Sequence, residues 1–289
     1  MQGPLVIAEI GASSSRWAFV ADGIEMTFPS KGGSIAGFNP LNGDTTLFQS
    51  NVKAYFEEYS PAVFGAAQVL VYGAGCGSEQ RSASMQAALK PLWPEGTTIT
   101  VQNDLMGAAR GLCGTSNGLV LILGTGMNAG YFDGNHLYRP MPSLGWILGD
   151  EGSGADIGRA LLQDAFYRRM PTEVMEALFG AEGPDLDTVL EEVHRLPFPS
   201  RALAARTGKL APLLENSYVR DLIVSRFHAL AEILVAFFPP EQCSDVYATG
   251  SVAWGFREIL SEVLLDRGMT LTVVERDPLP GLVRYHRPG

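Results

Sequence analysis

The chain has 289 residues, 46% of them apolar, enough for one large domain or two ordinary ones with a substantial core. A formal charge of −10 argues against nucleic acid and anionic membranes as partners, because both need a basic face. Apolar runs such as ILVAFF at 233–238 fall far short of the ~20 residues of a membrane-spanning helix, and the N-terminus lacks a basic flank before an apolar segment, so the expected location is the cytoplasm.

The first predicted element is a hairpin. Residues 5–23, LVIAEIGASSSRWAFVADG, run from an apolar strand through a turn of glycine and serines to a second strand and an Asp-Gly hairpin signal. The loop SIAGFNPLNG follows, in which Asn39 offers a carboxamide that can donate to and accept from hydroxyls and Pro40 stiffens the backbone. The bland reading of that loop is a plain Asn-Pro turn. Strand and helix then alternate: VLVYGAGCG, EQRSASMQAALK, TTITV and NDLMGAARGL predict an α/β layer architecture. Asn103 and Asp104 fall where a strand ends and a helix begins. Either could cap the helix, and a carboxylate at the carboxyl edge of a strand is also well placed to accept a proton.

Residues 119–134, LVLILGTGMNAGYFDG, repeat the opening hairpin pattern about a hundred residues later. Glycine turns at the tips of two such hairpins leave backbone N–H groups free to hold phosphate oxygens; the alternative reading of GTG at 124–126 is a tight turn. In SLGWILGDEGSGADIG, three glycines bracket Asp150 and Glu151 just before a helix, more than capping needs. That pattern suits a loop whose carboxylates and backbone donors hold a polyol or a metal-bound phosphate. GADIGRALLQDAFYRR, DLDTVLEEVHRL and RDLIVSRFHALAEILVAFF carry apolar residues at helical spacing, and Pro239-Pro240 ends the last. In TGSVAWGF, Gly250 and Ser251 follow a strand and open a helix, suited to an adenosine or phosphate contact or to a simple capped start. The strand TLTVVE and a final helix complete the chain, giving two similar lobes with a cleft between them. Cys76, Cys113 and Cys243 are too scattered for a disulfide framework or a cluster site, and the four histidines lack metal-ligand spacing.

The two hairpins, GFNP, VYGAGC, NDLMGAARGL, ILGTGMN, LGWILGDEGSGADIG, TGSVAWGF and PLPGLVRY, in this order, resemble the family that joins N-acetylglucosamine kinases with the BadF/BadG-type ATPases, in the superfamily of actin, hexokinase and Hsp70. The resemblance spans the whole chain. It implies two ribonuclease H-like lobes of the actin-like ATPase fold, residues 1–103 and a helix-rich 104–289, with the last helix able to pack back on the first lobe. It also implies ATP and Mg²⁺ as cofactors, an amino sugar as substrate, and a homodimer.

By the same resemblance Asp104 is the general base for the sugar 6-hydroxyl. Asn39, Pro40, Asn103, Met127, Asn128, the loop Ser143, Leu144, Gly145 and Trp146, and Asp150 hold the sugar. Gly11, Ser13, Ser14, Gly124, Thr125 and Gly126 face the ATP phosphates, Gly250 and Ser251 the adenosine, and Glu9 meets Mg²⁺ through water. Glu9 stands where the family usually has Asp, Ser14 where Lys is frequent, and Met127 where a small hydroxyl residue is usual. Two other functions share the pattern: a sugar-sensing pseudokinase, for which Glu9 and Ser14 speak, and an ATPase activator of a reductase, which would need cysteine ligands for an iron–sulfur cluster.

Overall fold

The computed structural model describes residues 3–287 other than Ser13, Asp22, Lys31, Gly32, Asn42, Leu196 and Pro197. In chain order the elements are β1 (Leu5–Ile10), β2 (Ser14–Ala21), β3 (Ile24–Phe28), β4 (Ile35–Ala36), α1 (Thr45–Tyr59), β5 (Gln68–Gly73), α2 (Glu79–Leu89), β6 (Thr98–Asn103) and α3 (Asp104–Cys113). Then come β7 (Gly118–Leu123), β8 (Met127–Phe132), β9 (Leu137–Tyr138), α4 (Gly145–Leu148), α5 (Gly154–Phe166), α6 (Thr172–Phe179), α7 (Leu186–His194), α8 (Pro199–Thr207) and α9 (Ser217–Phe237). The last are α10 (Pro240–Cys243), β10 (Asp245–Thr249), α11 (Ser251–Gly255), α12 (Arg257–Leu265), β11 (Thr270–Glu275) and α13 (Leu279–His286). Among the described residues no helix is long and apolar enough to cross a membrane.

Two compact units result: one runs to Gly114 and regains the chain from Pro278, and the other is Thr115–Asp277. The division thus falls after α3 rather than before it, because α3 packs with β5, β6 and α13. In the first unit the strand order is β3-β2-β1-β5-β6, with β4 beside β2. The β1–β2 and β2–β3 pairs are antiparallel, while β1–β5 and β5–β6 are parallel. In the second unit the order β9-β8-β7-β10-β11 has the same alternation: two antiparallel pairs, then two parallel ones. The hairpin repeat read in the sequence therefore extends to a whole repeated sheet.

Each sheet is built from apolar runs, as expected where both faces are covered. In the first unit Trp17, Phe28, Phe48, Phe56 and Trp93 form an aromatic core under α1 and α2, while Ile7, Ala18 and Tyr72 on the opposite face meet Leu279, Leu282 and Val283 of α13. Helix α13 can lie this close to α3 only because two glycines meet there: a Cβ on Gly281 would stand 1.8 Å from the Gly111 carbonyl oxygen. In the second unit the core is dominated by α9, which packs with α5 and α12 and whose Leu222, Phe227, Leu230 and Leu234 share one buried cluster with residues of β7 and β10. Asn216 caps that helix by accepting from the Tyr218 amide at 3.0 Å, and it ends one residue before Phe238-Pro239.

Candidate active site

In the first unit the parallel register sets three strand ends level. Ile10 of β1 lies opposite Gly73 of β5, and Gly73 opposite Asn103 of β6. The carboxyl edge of parallel strands is where α/β sheets hold ligands. The Gly11 amide donates to the Ser14 carbonyl at 3.0 Å, and the Gly11 carbonyl accepts from the Phe38 amide at 3.0 Å. Together with the Ser14–Ala36 pairing of β2 and β4, this ties the first turn to the segment carrying Asn39.

The Asn39 carboxamide stands over β5's tip, where its Oδ1 would be 2.7 Å from a Cβ on Gly75, whose φ of 76° suits glycine. That Oδ1 accepts from the Leu41 amide at 3.0 Å. The Asn-Pro turn and the ligand reading are thus compatible: the oxygen closes the turn while the Nδ2 donors are left for hydroxyls.

Of the three serines in the first turn, Ser15 is structural. Its buried hydroxyl donates to the Ala36 carbonyl and accepts from Trp17 Nε1, both at 2.7 Å. Ser14 is exposed, and Ser13 lies outside the described residues. Glu9 is half-buried on β1, paired in register with Arg16 of β2.

The choice between Asn103 and Asp104 as helix cap is resolved by geometry. Asn103 Oδ1 accepts from the Met106 amide at 2.8 Å, so Asn103 caps α3. Asp104 is the first residue of the helix, half-buried, with Oδ1 accepting from the Leu105 amide at 2.9 Å. Cys76, in the loop that follows β5, is close enough to feel its charge. Burial first and then Asp104 push that thiol up to about 11, so it stays protonated at neutral pH.

In the second unit the Gly124–Gly126 turn closes with the Gly124 amide donating to the Gly126 carbonyl at 3.0 Å. The helix behind it provides the bracing: Gly154 and Ala155 of α5 donate to the carbonyls of Gly124 and Thr125 at 2.8 and 3.1 Å. Those N–H groups belong to the first turn of α5, where no intrahelical partner exists. Thr125 is exposed at the tip. Gly250 presses on the same turn, since a Cβ there would be 2.3 Å from the Leu123 carbonyl oxygen, and its φ of 107° is one that glycine tolerates. Ser251 is exposed at the start of α11.

Asp150 also reaches the turn. Its Oδ2 stands 2.7 Å from where a Gly126 Cβ would lie, and its carboxylate accepts from the Met127 amide. Burial raises its pKa, the Met127 hydrogen bond opposes that, and the charges of Glu151 and Asp156 raise it further against a lowering by Arg159. Met127, Ser143, Leu144 and Asp150 line one pocket of about 180 Å³ with Met141, Pro142, Glu151, Ile233 and Phe237. Gly145 and Trp146 form the neighbouring helix α4 and do not line it; Asn128 is half-buried on β8 and its Oδ1 accepts from Arg139 Nη2 at 3.4 Å.

Sequence reasoning missed Asp156, Arg159 and Arg226. Asp156 is 2% exposed and is held by both arginines, which come from α5 and α9. The Asp-x-x-Arg spacing in GADIGR is a readable signal for the first pair. No local pattern points to Arg226.

No family model matches the chain, and no curated protein matches it. Among solved structures, a candidate N-acetylglucosamine kinase from Porphyromonas gingivalis is 32% identical over 98% of both chains, with a TM-score of 0.88. A candidate N-acetylglucosamine kinase from Chromobacterium violaceum is 19% identical over 99% of both, with a TM-score of 0.66. A ROK family glucokinase from Streptomyces griseus, solved with glucose and AMPPNP, is 16% identical over 98% of both at a TM-score of 0.55. The last two share the fold. The first likeness, across nearly the whole of both chains, joins the repeated sheets and glycine turns to a family: the chain belongs to the N-acetylglucosamine kinase family.

Proposed function

We propose that the protein transfers the γ-phosphate of ATP to the 6-hydroxyl of N-acetylglucosamine or a closely related amino sugar. The observation that carries this reading is the division of labour at the end of β6. Asn103 caps α3, and Asp104, the first residue of that helix, follows directly at the carboxyl edge of the sheet, where β1 and β5 end level with β6. Asp104 takes the proton of the sugar hydroxyl as that oxygen attacks the γ-phosphorus, and the bond to the β,γ-bridging oxygen breaks to release ADP.

The family resemblance gives the role of holding sugar hydroxyls to Asn39, to Asn128, to the Ser143–Trp146 segment and to Asp150. The Gly11–Ser14 and Gly124–Gly126 turns receive phosphate oxygens, and Gly250 and Ser251 the adenosine. Mg²⁺ fits this donor set. It is usually held by one or two carboxylates plus substrate phosphates, and among the described residues no three His, Cys, Asp or Glu side chains gather as a cage. Glu9 is the carboxylate that would hold it, through water; when bound the ion neutralises charge on the phosphates. A homodimer is the assembly that the family resemblance implies.

The test is to incubate the protein with ATP, Mg²⁺ and a panel of N-acetylglucosamine, glucosamine and N-acetylmuramic acid and to follow ADP release. Turnover that depends on one of these sugars is the expected result. Sugar binding without ADP release would replace the kinase with a sugar sensor.

A further inference from the structure

Asp150 holds a φ of 59°, a left-handed conformation uncommon outside glycine though one that aspartate tolerates better than most residues. The surroundings here converge on one carboxylate. Asp156 Oδ2 accepts from the Gly152 amide at 3.0 Å and from Arg226 Nε at 2.8 Å, and its Oδ1 accepts from Arg159 Nη2 at 2.7 Å. Arg159 Nη1 donates in turn to the Trp146 carbonyl at 2.8 Å. A closed path of hydrogen bonds therefore runs from Trp146 through Arg159 and Asp156 to Gly152, and Asp150 lies on the segment it spans.

Capping accounts for only part of this carboxylate: Ser153 accepts from the Asp156 amide while Asp156 reaches back to the Gly152 amide, as in a capping box, but a cap does not call for the two arginines that also hold it. Nor is it a surface charge, since Asp156 is 2% exposed. A carboxylate that buried is retained only with its donors in place, and removing one partner leaves an uncompensated charge.

We propose that Asp156 is a positioning residue: through the Gly152 amide and, by way of Arg159, the Trp146 carbonyl, it holds the Trp146–Gly152 segment in the shape that presents Asp150 to the amino sugar. This rests on the kinase reading above. The two arginines are not equivalent. Both pair with Asp156, but only Arg159 also reaches the segment, so a positioning role separates them where a general stabilising role would not.

The test compares Asp156→Asn, Arg159→Lys and Arg226→Lys in the full-length protein, measuring KM for N-acetylglucosamine, KM for ATP, kcat, melting temperature, and amide exchange over residues 149–153. Lysine keeps a charge for Asp156 but cannot bridge to Trp146 as the guanidinium does. Asp156→Asn is expected to raise the sugar KM roughly tenfold or more, given how steeply rate depends on placement, and Arg159→Lys somewhat less. Arg226→Lys is expected to raise it least of the three. Amide exchange at Gly152 should speed up in the first two, with the KM for ATP within about twofold of wild type.

Equal changes in sugar KM for Arg159→Lys and Arg226→Lys, tracking their melting temperatures, would reduce the cluster to a structural ion triad and overturn the inference. An unchanged sugar KM in a folded Asp156→Asn would do the same. A wild-type protein that turns over no sugar overturns the kinase reading first, and with it this inference, whatever the variants do.

Discussion

The turns at the tips of β1–β2 and β7–β8 occupy equivalent places in two sheets of the same strand order, yet they are braced by different means. The first is tied down by its own downstream chain: β4 pairs with Ser14 and Ser15, the Phe38 amide reaches Gly11, and the Ser15 hydroxyl links Trp17 to Ala36. The second is held by the N-terminus of α5 and is closely approached by Gly250 and by the Asp150 carboxylate. A duplicated sheet thus fixes where two turns lie without fixing what they do. The first unit couples its turn to Asn39 and sits level with Asp104, whereas the second couples its turn to Asp150 and to the α11 loop.

The unit that carries the proposed base should suffer most from a single substitution. Asp104→Asn keeps the side-chain shape and leaves Asn103 capping the helix, so ATP and sugar binding should survive while kcat falls roughly 10²- to 10⁴-fold. Near-normal turnover in this variant would mean that the first unit contributes binding alone. Isothermal titration with sugar alongside the rate measurement separates the two outcomes.

Next in size is Gly250→Ala, aimed at the bracing of the second turn. Gly250 has φ 107° and ψ 161°, a region that is essentially glycine's own, and an added Cβ would meet the Leu123 carbonyl oxygen at 2.3 Å. Denaturant unfolding should show a loss of roughly 3 kcal/mol, combining strain with the displaced backbone. The KM for ATP should rise in whatever fraction remains folded. A variant with unchanged stability would show that the α11 loop can lift off the turn without consequence.

A third comparison concerns α13, the element that the first unit takes back from the far end of the chain. His286 Nε2 is 2.6 Å from the Tyr72 hydroxyl, which also accepts from Arg110 Nη1 at 3.0 Å. Burial, then the Arg110 charge, push this histidine from 6.5 down to about 4. A depressed histidine is neutral in the folded state, so between those two values the unfolded chain binds more protons and stability falls as pH drops. Relative to His286→Gln, wild type should lose on the order of 1–2 kcal/mol between pH 6.5 and 4, allowing for the partial exposure of the ring. A stability difference that stays flat over that range would show that this histidine does not govern the acid stability of the first unit.

How far these features can be read in the sequence depends on the range of the interaction. Strands β1, β2, β5, β6, β7 and β10 and helices α2, α3, α5 and α9 follow from local periodicity and caps, since every determinant lies within one turn or one hairpin. The association of α13 with α3 depends on Gly281 meeting Gly111, two glycines far apart in the chain that carry no local signal of a partner. The same holds at the candidate site. The glycine turns and the GDEG loop stand out by composition, whereas Asp156 reads as an ordinary first-turn acid: the Asp-x-x-Arg spacing hints at its Arg159 partner, but Arg159's reach to the Trp146 carbonyl and the arrival of Arg226 from α9 carry no local signal. Asn103 and Asp104 are equal as caps on propensity, and only the hydrogen bond to Met106 distinguishes them.

The smallest expected change tests the comparison of the two turns most directly. A Cβ on Gly11 would lie 3.1 Å from the Ser14 carbonyl oxygen, a tight contact that a small backbone shift relieves, and its backbone lies outside the left-handed region. A Cβ on Gly126 would lie 2.7 Å from Asp150 Oδ2, the mobile end of a side chain, which can move aside. Both alanine variants should therefore remain folded, with stability losses of about 1 kcal/mol or less. Their kinetics should diverge: Gly11→Ala leaves the sugar KM nearly unchanged, while Gly126→Ala raises it severalfold because the atom that yields is the one assigned to the sugar. If the two variants behaved alike in steady-state assays, Asp150 would be bracing the second turn without reading the sugar, and the difference between the turns would be one of construction alone.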